Sequence, residues 1–167
     1  MIVVTAEPDD LAGFHALAAE VEPWFGPMVD DPGFTAALDK AIGARSALCV
    51  RRDDGQGLLG GLLLGGGYPV YRIGWLVVAG AARRGGVGRA LVAEAVRELM
   101  QRPCRVEVLT FGADHPAAQA SGARAFYEQL GFRPGEPAPP GPDGGSRQWL
   151  RRTLNSGRAA DPLQVNR

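Results

Sequence analysis

The chain has 167 residues, 46% of them hydrophobic, with 18 basic and 18 acidic side chains and a formal net charge of zero. Such a length and composition suit one globular domain with a sizeable core and exclude a disordered or fibrous chain. Neutral charge gives no footing for nucleic acid, and no run nears 18 apolar residues, so neither nucleic acid nor a membrane is an expected partner.

Residues 1–7 lack the basic start and apolar stretch of a secretory signal, which sets the expectation of a cytoplasmic protein. Cys49 and Cys104 lie in apolar strand patterns and read as buried free thiols. Lys40 is the only lysine, and the resulting arginine bias, with 24 glycines and 13 prolines, suggests a GC-rich bacterial genome.

Residues 2–5 read as a first strand. Pro8-Asp9-Asp10 suits a helix start, and Leu11, Phe14, Leu17, Ala18 and Val21 recur at helical spacing. The segment 22–28, with Pro23, Trp24 and Phe25, is expected to break that helix. Pro32 opens a second, to about Ile42. Residues 46–52 and 57–64 read as a hairpin joined at Asp53-Asp54-Gly55. A strand follows over 71–78, then a helix over 87–101 with Val87, Leu91, Val92, Ala95, Val96 and Leu99 on one face, ended by Pro103. Residues 104–110 read as a strand, 110–121 as a long loop, and 123–130 as a helix closed by a left-handed Gly131. The proline- and glycine-rich stretch 134–145 reads as an exposed loop before a last strand, 146–154. One α/β domain over 1–154 with a flexible tail, 155–167, is the expected organisation.

The most informative segment is the junction after the strand, Arg83-Arg84-Gly85-Gly86-Val87-Gly88. A helix start presents unpaired N–H groups with the positive end of the helix dipole behind them. Glycines remove the Cβ atoms that would hold an anion away, and two arginines add charge. The pattern reads as a phosphate or pyrophosphate cradle, with a plain tight turn as the alternative. It is not a Walker loop, which needs Gly-Lys-Ser/Thr. A dinucleotide fingerprint wants its glycines directly after the strand and a third glycine where this chain has Leu91.

The segment resembles the acyl-CoA motif of the GNAT acetyltransferase superfamily, Arg/Gln-x-x-Gly-x-Gly/Ala. A second stretch, Ala125-Phe126-Tyr127-Glu128-Gln129-Leu130-Gly131-Phe132, is similar to that family's "FYexLGF" signature, in the same order and at a fitting spacing. The resemblance spans roughly residues 1–154. It implies a mixed, splayed central sheet flanked by helices, and an acetyl-CoA-dependent N-acetyltransferase that uses no metal. It also implies a pyrophosphate held by backbone N–H groups around Arg84 to Arg89, and a pantetheine arm lying along Leu76, Val77 and Val78. The acceptor would be a small-molecule amine or a peptide N-terminus, its identity open, as is a homodimer. A CoA-binding protein without turnover is the rival reading.

By the same resemblance Tyr127 stands where a family tyrosine can protonate the leaving thiolate; a packed tyrosine is the alternative. Glu107, mid-strand between Val106 and Val108, stands where several members carry a base, or is a solvated strand glutamate. Asp114 and His115 in the long loop are other candidates for the base, or simple turn residues. The family usually has an asparagine seven residues before the tyrosine, where this chain has Ala120. Trp24 and Phe25 lie where the family forms its acceptor wall, and serve either substrate contact or core capping. Asp30 and Asp31 nearby would attract a cation or cap the second helix.

Overall fold

The computed structural model describes residues 1–156. In chain order it contains β1 (Val3–Thr5), α1 (Leu11–Phe25, entered through a 3-10 turn Pro8–Asp10), α2 (Pro32–Gly43), β2 (Ala47–Arg51), β3 (Leu58–Gly67), β4 (Val70–Val78), α3 (Val87–Glu94), β5 (Cys104–Phe111), α4 (Pro116–Ser121), α5 (Ala123–Gln129), β6 (Arg133–Ala138) and β7 (Arg147–Leu154). The sheet has seven strands in the order β1-β2-β3-β4-β5-β7-β6. β4 and β5 run parallel, while β1 with β2, β2 with β3, β5 with β7 and β6 with β7 run antiparallel. This is the mixed α/β sheet expected. The chain groups into two units, Met1–Gly65 with Gly74–Leu99, and Gly66–Ile73 with the residues from Met100 onward.

In the first unit Phe14, Leu17 and Val21 of α1 and Leu38 and Ile42 of α2 share a core with Cys49, Leu63 and Val77. Two adjacent glycines on β3 set how closely helices approach its opposite faces. A Cβ on Gly60 would lie 2.7 Å from Val87 Cγ1 and 3.1 Å from the Val77 carbonyl oxygen; one on Gly61 would lie 2.4 Å from Phe14 Cε1. Any larger residue would push α3 or α1 off the strand.

Two elements here differ from the sequence reading. α1 does not break at residue 22 but continues through Pro23 to Phe25 and stops at Gly26 (φ 80°), whose N–H bonds the Glu22 carbonyl at 2.8 Å. Proline deletes one helical N–H bond, and so near the helix end the packing of Trp24 against the core holds the last turn. The helix after the glycines widens into a π turn at Ala95–Leu99. The extra residue per turn advances the buried face, so Met100 is buried and Leu99, expected in the core, is half-buried.

In the second unit the register pairs Val70–Ile73 of β4 with Arg105–Val108 of β5, and all of β5 with β7. Val106, Val108, Tyr127, Leu130, Phe132 and Leu150 are buried. The loop expected over 110–121 holds α4, because His115 caps it and Pro116 takes the first helical position. Gly131 has the expected left-handed φ of 85°. The stretch expected as a loop from residue 134 begins instead as β6. Its prolines, Pro134 and Pro137, are tolerated because β6 is the last strand of the sheet, and the register with β7 shifts between them. Most of the tail expected over 155–167 lies outside the described residues.

Candidate active site

After β4 the chain makes a 3-10 turn, Gly80–Ala82, anchored to α1 by the Gly80 N–H on Glu20 Oε2 at 2.7 Å. Arg84 (φ 63°) and Gly86 (φ 83°) are both left-handed, and Gly86 is the N-cap of α3 with no side-chain cap bond. Gly85 and Gly86 are exposed, while Val87 and Gly88 are buried. A left-handed glycine at an uncapped helix start turns consecutive backbone N–H groups outward, the chemistry an anion needs. The residues present therefore fit a pyrophosphate. The Arg83 side chain lies over the Trp24 ring, 4.7 Å from Cζ to centroid. Trp24 is thus half-buried against the core on one side and covered by this arginine, while Phe25 is 44% exposed. Both sit on the last turn of α1, not in a loop. Asp31 does cap α2, accepting the Gly33 N–H at 2.9 Å.

Glu107 is not a solvated strand residue. It is 6% exposed, Arg72 Nη2 donates to its Oε1 at 2.7 Å, and Arg151 Nε donates to Oε2 at 3.2 Å. Arg72 pairs with it across β4–β5 and Arg151 across β5–β7 in the strand register. The Arg72 bond holds the carboxyl below its ordinary value against the opposing effect of burial, and Arg151 adds to it. Both arginines also lie over Trp149, and Arg151 reaches Glu136 Oε1 at 2.6 Å. Tyr127 is buried, with ring centroids 5.1 Å from Phe126 and 5.5 Å from Phe132, edge-on to both. Burial pushes its phenol well up, so it keeps its proton throughout the neutral range.

His115 Nδ1 accepts the Ala117 N–H at 3.0 Å, Nε2 lies 3.0 Å from Asp143 Oδ2, and the ring packs on Phe111. Both ring nitrogens are therefore engaged, and the turn-start reading of this residue describes its contacts. The Ser146 hydroxyl bonds Asp114 and holds its carboxyl below the ordinary value. Ala120 lies within α4. Sequence reasoning missed Arg72 and Arg151. The available signal was Glu107 itself, since an apolar strand carries a carboxylate only beside a cation.

The model of the acetyltransferase (GNAT) domain family matches residues 44–134, which include the cradle and the tyrosine motif's Tyr127. The chain belongs to the GNAT acetyltransferase family. No curated protein matches it by sequence. Among solved structures, the GNAT chain is similar to an aminoglycoside 6'-N-acetyltransferase complexed with coenzyme A, at 16% identity, TM-score 0.71, over 95% of this chain and 99% of that one. It is similar to the ribosomal-protein-alanine N-acetyltransferase of Brucella melitensis, at 17% identity, TM-score 0.70, over 92% and 100%. It is also similar to a chain of the NatC complex bound to Gag peptide and CoA, at 15% identity, TM-score 0.70, over 92% and 98%. At these identities the likeness establishes the fold, while the family model establishes membership in an acyltransferase class. Among the described residues no group of three or more His, Cys, Asp or Glu side chains is placed to hold a metal ion, and no helix is long and apolar enough to cross a membrane.

Proposed function

We propose that this GNAT chain transfers an acetyl group from acetyl-CoA to a primary amine by direct attack within a ternary complex. The observation that carries the reading is the uncapped, left-handed glycine turn opening α3, exposed and flanked by Arg83 and Arg84. In this reading Gly86, Val87, Gly88 and Arg89 hold the pyrophosphate through backbone N–H groups, as a helix start does for anions, while Gly85, whose N–H bonds the Ala82 carbonyl at 3.2 Å, keeps the approach free of a side chain. The backbone of Leu76, Val77 and Val78 lies along the pantetheine. The end of the β4–β5 register at Ile73 and Val108 supports this, because that pairing does not claim the amides beyond. Trp24 and Phe25 border the acceptor, a small amine or a peptide N-terminus. The protein works in the cytoplasm.

Chemically, the amine lone pair forms the new C–N bond at the thioester carbonyl carbon. The carbonyl electrons move to oxygen and return as the C–S bond breaks. The departing thiolate takes the Tyr127 proton, and the nitrogen gives up its own proton through water to Glu107; proton exchange with solvent resets both groups. With two guanidinium groups on it, Glu107 is a weak base, which suits accepting a proton from an already acidic N-acyl ammonium better than deprotonating a free amine.

The test is isothermal titration with acetyl-CoA, followed by thiol release across amine and peptide acceptors, on the parent chain and Gly86→Glu. A glutamate there needs a strained left-handed φ and places a negative charge where the phosphates bind. The expected result is binding and acceptor-dependent release by the parent, and loss of binding in a folded variant. Unchanged affinity in folded Gly86→Glu would remove the cradle from this position. Binding without release to any acceptor would favour a CoA-binding protein instead.

A further inference from the structure

Among the described residues one buried side-chain polar atom has no hydrogen-bond partner, the indole Nε1 of Trp75. A buried donor left unpaired destabilises a fold by about 1–3 kcal/mol, so its presence calls for a reason. Trp75 lies on β4 immediately before Leu76, inside the first unit. Its ring packs at centroid distances of 5.8 Å from Phe14 of α1 and 5.7 Å from Phe34 of α2. Phe34 in turn meets His15 edge-on at 5.6 Å, and His15 Nε2 lies 3.3 Å from the Thr35 hydroxyl. Phe14 is fully buried, but His15, Phe34, Thr35 and Trp75 are all half-buried. The cluster therefore has an inner side in the core and an outer side at the surface.

We propose that Trp75 is a specificity-determining residue for the acceptor, its indole N–H donating to a carbonyl or carboxylate oxygen next to the reacting amine. The inference rests on the acetyltransferase reading above and goes further by naming the acceptor class. An indole N–H is a donor only, so it rewards acceptors that carry an oxygen at that place and gives nothing to a bare alkyl amine. The class selected is the α-amino acyl group, as in an amino-acid amide or the first residue of a peptide. The neighbouring face of Phe34 and His15 suits an apolar or aromatic side chain on that residue.

Trp75→Phe keeps an aromatic ring between Phe14 and Phe34 and removes the donor together with part of the indole's bulk, a loss of packing that both acceptors share. The experiment compares kcat/KM of parent and variant for phenylalaninamide and for phenethylamine, which differ by one carboxamide group. Comparing variant with parent for each acceptor cancels the difference in amine basicity. The expected result is a fall of roughly 10-fold or more for phenylalaninamide and less than about 2-fold for phenethylamine, the size of one lost hydrogen bond. Acetyl-CoA affinity by titration stays unchanged, and a single cooperative melt above the assay temperature shows that the variant is folded. Equal losses on both acceptors, or no loss on the amide, would overturn the assignment. Acetylation by the parent of other amines but of neither probe would overturn it while leaving the acetyltransferase reading intact. Acetyl-CoA binding with no release to any acceptor would remove that reading and this one together.

Discussion

Gly60 and Gly61 are neighbours on one strand with opposite tasks, and substituting each by alanine separates fold from cradle. In Gly60→Ala the new methyl would meet Val87 Cγ1 at 2.7 Å and the Val77 carbonyl oxygen at 3.1 Å. The Val77 carbonyl is fixed in β4, so the methyl cannot be accommodated on that side, and Val87 with Leu91 of α3, at 2.7 and 3.2 Å, must shift outward. In Gly61→Ala the methyl would meet three atoms of the Phe14 ring at 2.4, 3.0 and 3.1 Å, and that ring is fully buried. Overpacking of this kind destabilises by about 1–3 kcal/mol, partly offset by about 0.4–1 kcal/mol from the stiffer unfolded chain. Taking the middle of these ranges, a net loss of about 1–2 kcal/mol, and about 2–4 °C per kcal/mol for a chain of this size, both variants should melt roughly 2–8 °C below the parent by calorimetry. Only Gly60→Ala should also weaken acetyl-CoA binding, by about tenfold, because only it displaces Val87, the first residue of α3 after the cradle glycine. Gly43→Ala, with open space around the site, serves as the neutral control. A destabilised Gly60→Ala with parental affinity would show that the start of α3 does not hold the phosphates. Parental melting in Gly61→Ala would refute the packing argument itself.

Tyr127→Phe retains the edge-on contacts with Phe126 and Phe132 and removes one hydroxyl; single-turnover rates should fall about 10²-fold with acetyl-CoA affinity unchanged. Parental rates would leave Tyr127 a packing residue. The folded-state value of Glu107 is depressed, so its stabilisation is complete above the ordinary carboxylate value of 4.5 and is lost as pH falls through the lowered one. Glu107→Gln should therefore melt lower than the parent at pH 7, and the gap should narrow as pH drops below about 4. If Glu107 also takes the amine's proton, the variant loses the acidic limb of its rate profile. An unaltered limb would confine Glu107 to holding Arg72 and Arg151.

The local chemistry of the chain was readable where it depends on neighbours in sequence. The glycine turn before α3, the Asp31 cap, the Gly131 terminator and the β2–β3 hairpin all follow from residue type and spacing. What escaped depends on partners far along the chain. Glu107 could be placed on a strand, but Arg72 and Arg151 reach it only through the β4–β5–β7 register, which no local pattern encodes. Pro23 reads as a helix breaker because the sequence does not show that Trp24 packs against a core. The proline-rich stretch reads as a loop because nothing local says its strand lies at the edge, the one place where missing N–H groups do no harm. The π turn shifts the buried face by one residue, from Leu99 to Met100, which a fixed 3.6-residue period cannot anticipate.

The two ends of the sheet bear on how this protein behaves when crowded. β1 is three residues long, and β6 carries Pro134 and Pro137 together with Glu136. A stray extended peptide, or a second copy offering its own strand, finds a ladder too short at one border and missing donors at the other. Runaway growth of the sheet into fibrils is thereby starved at both borders. Among the described residues, both borders of the sheet therefore discourage strand-to-strand pairing with a second copy.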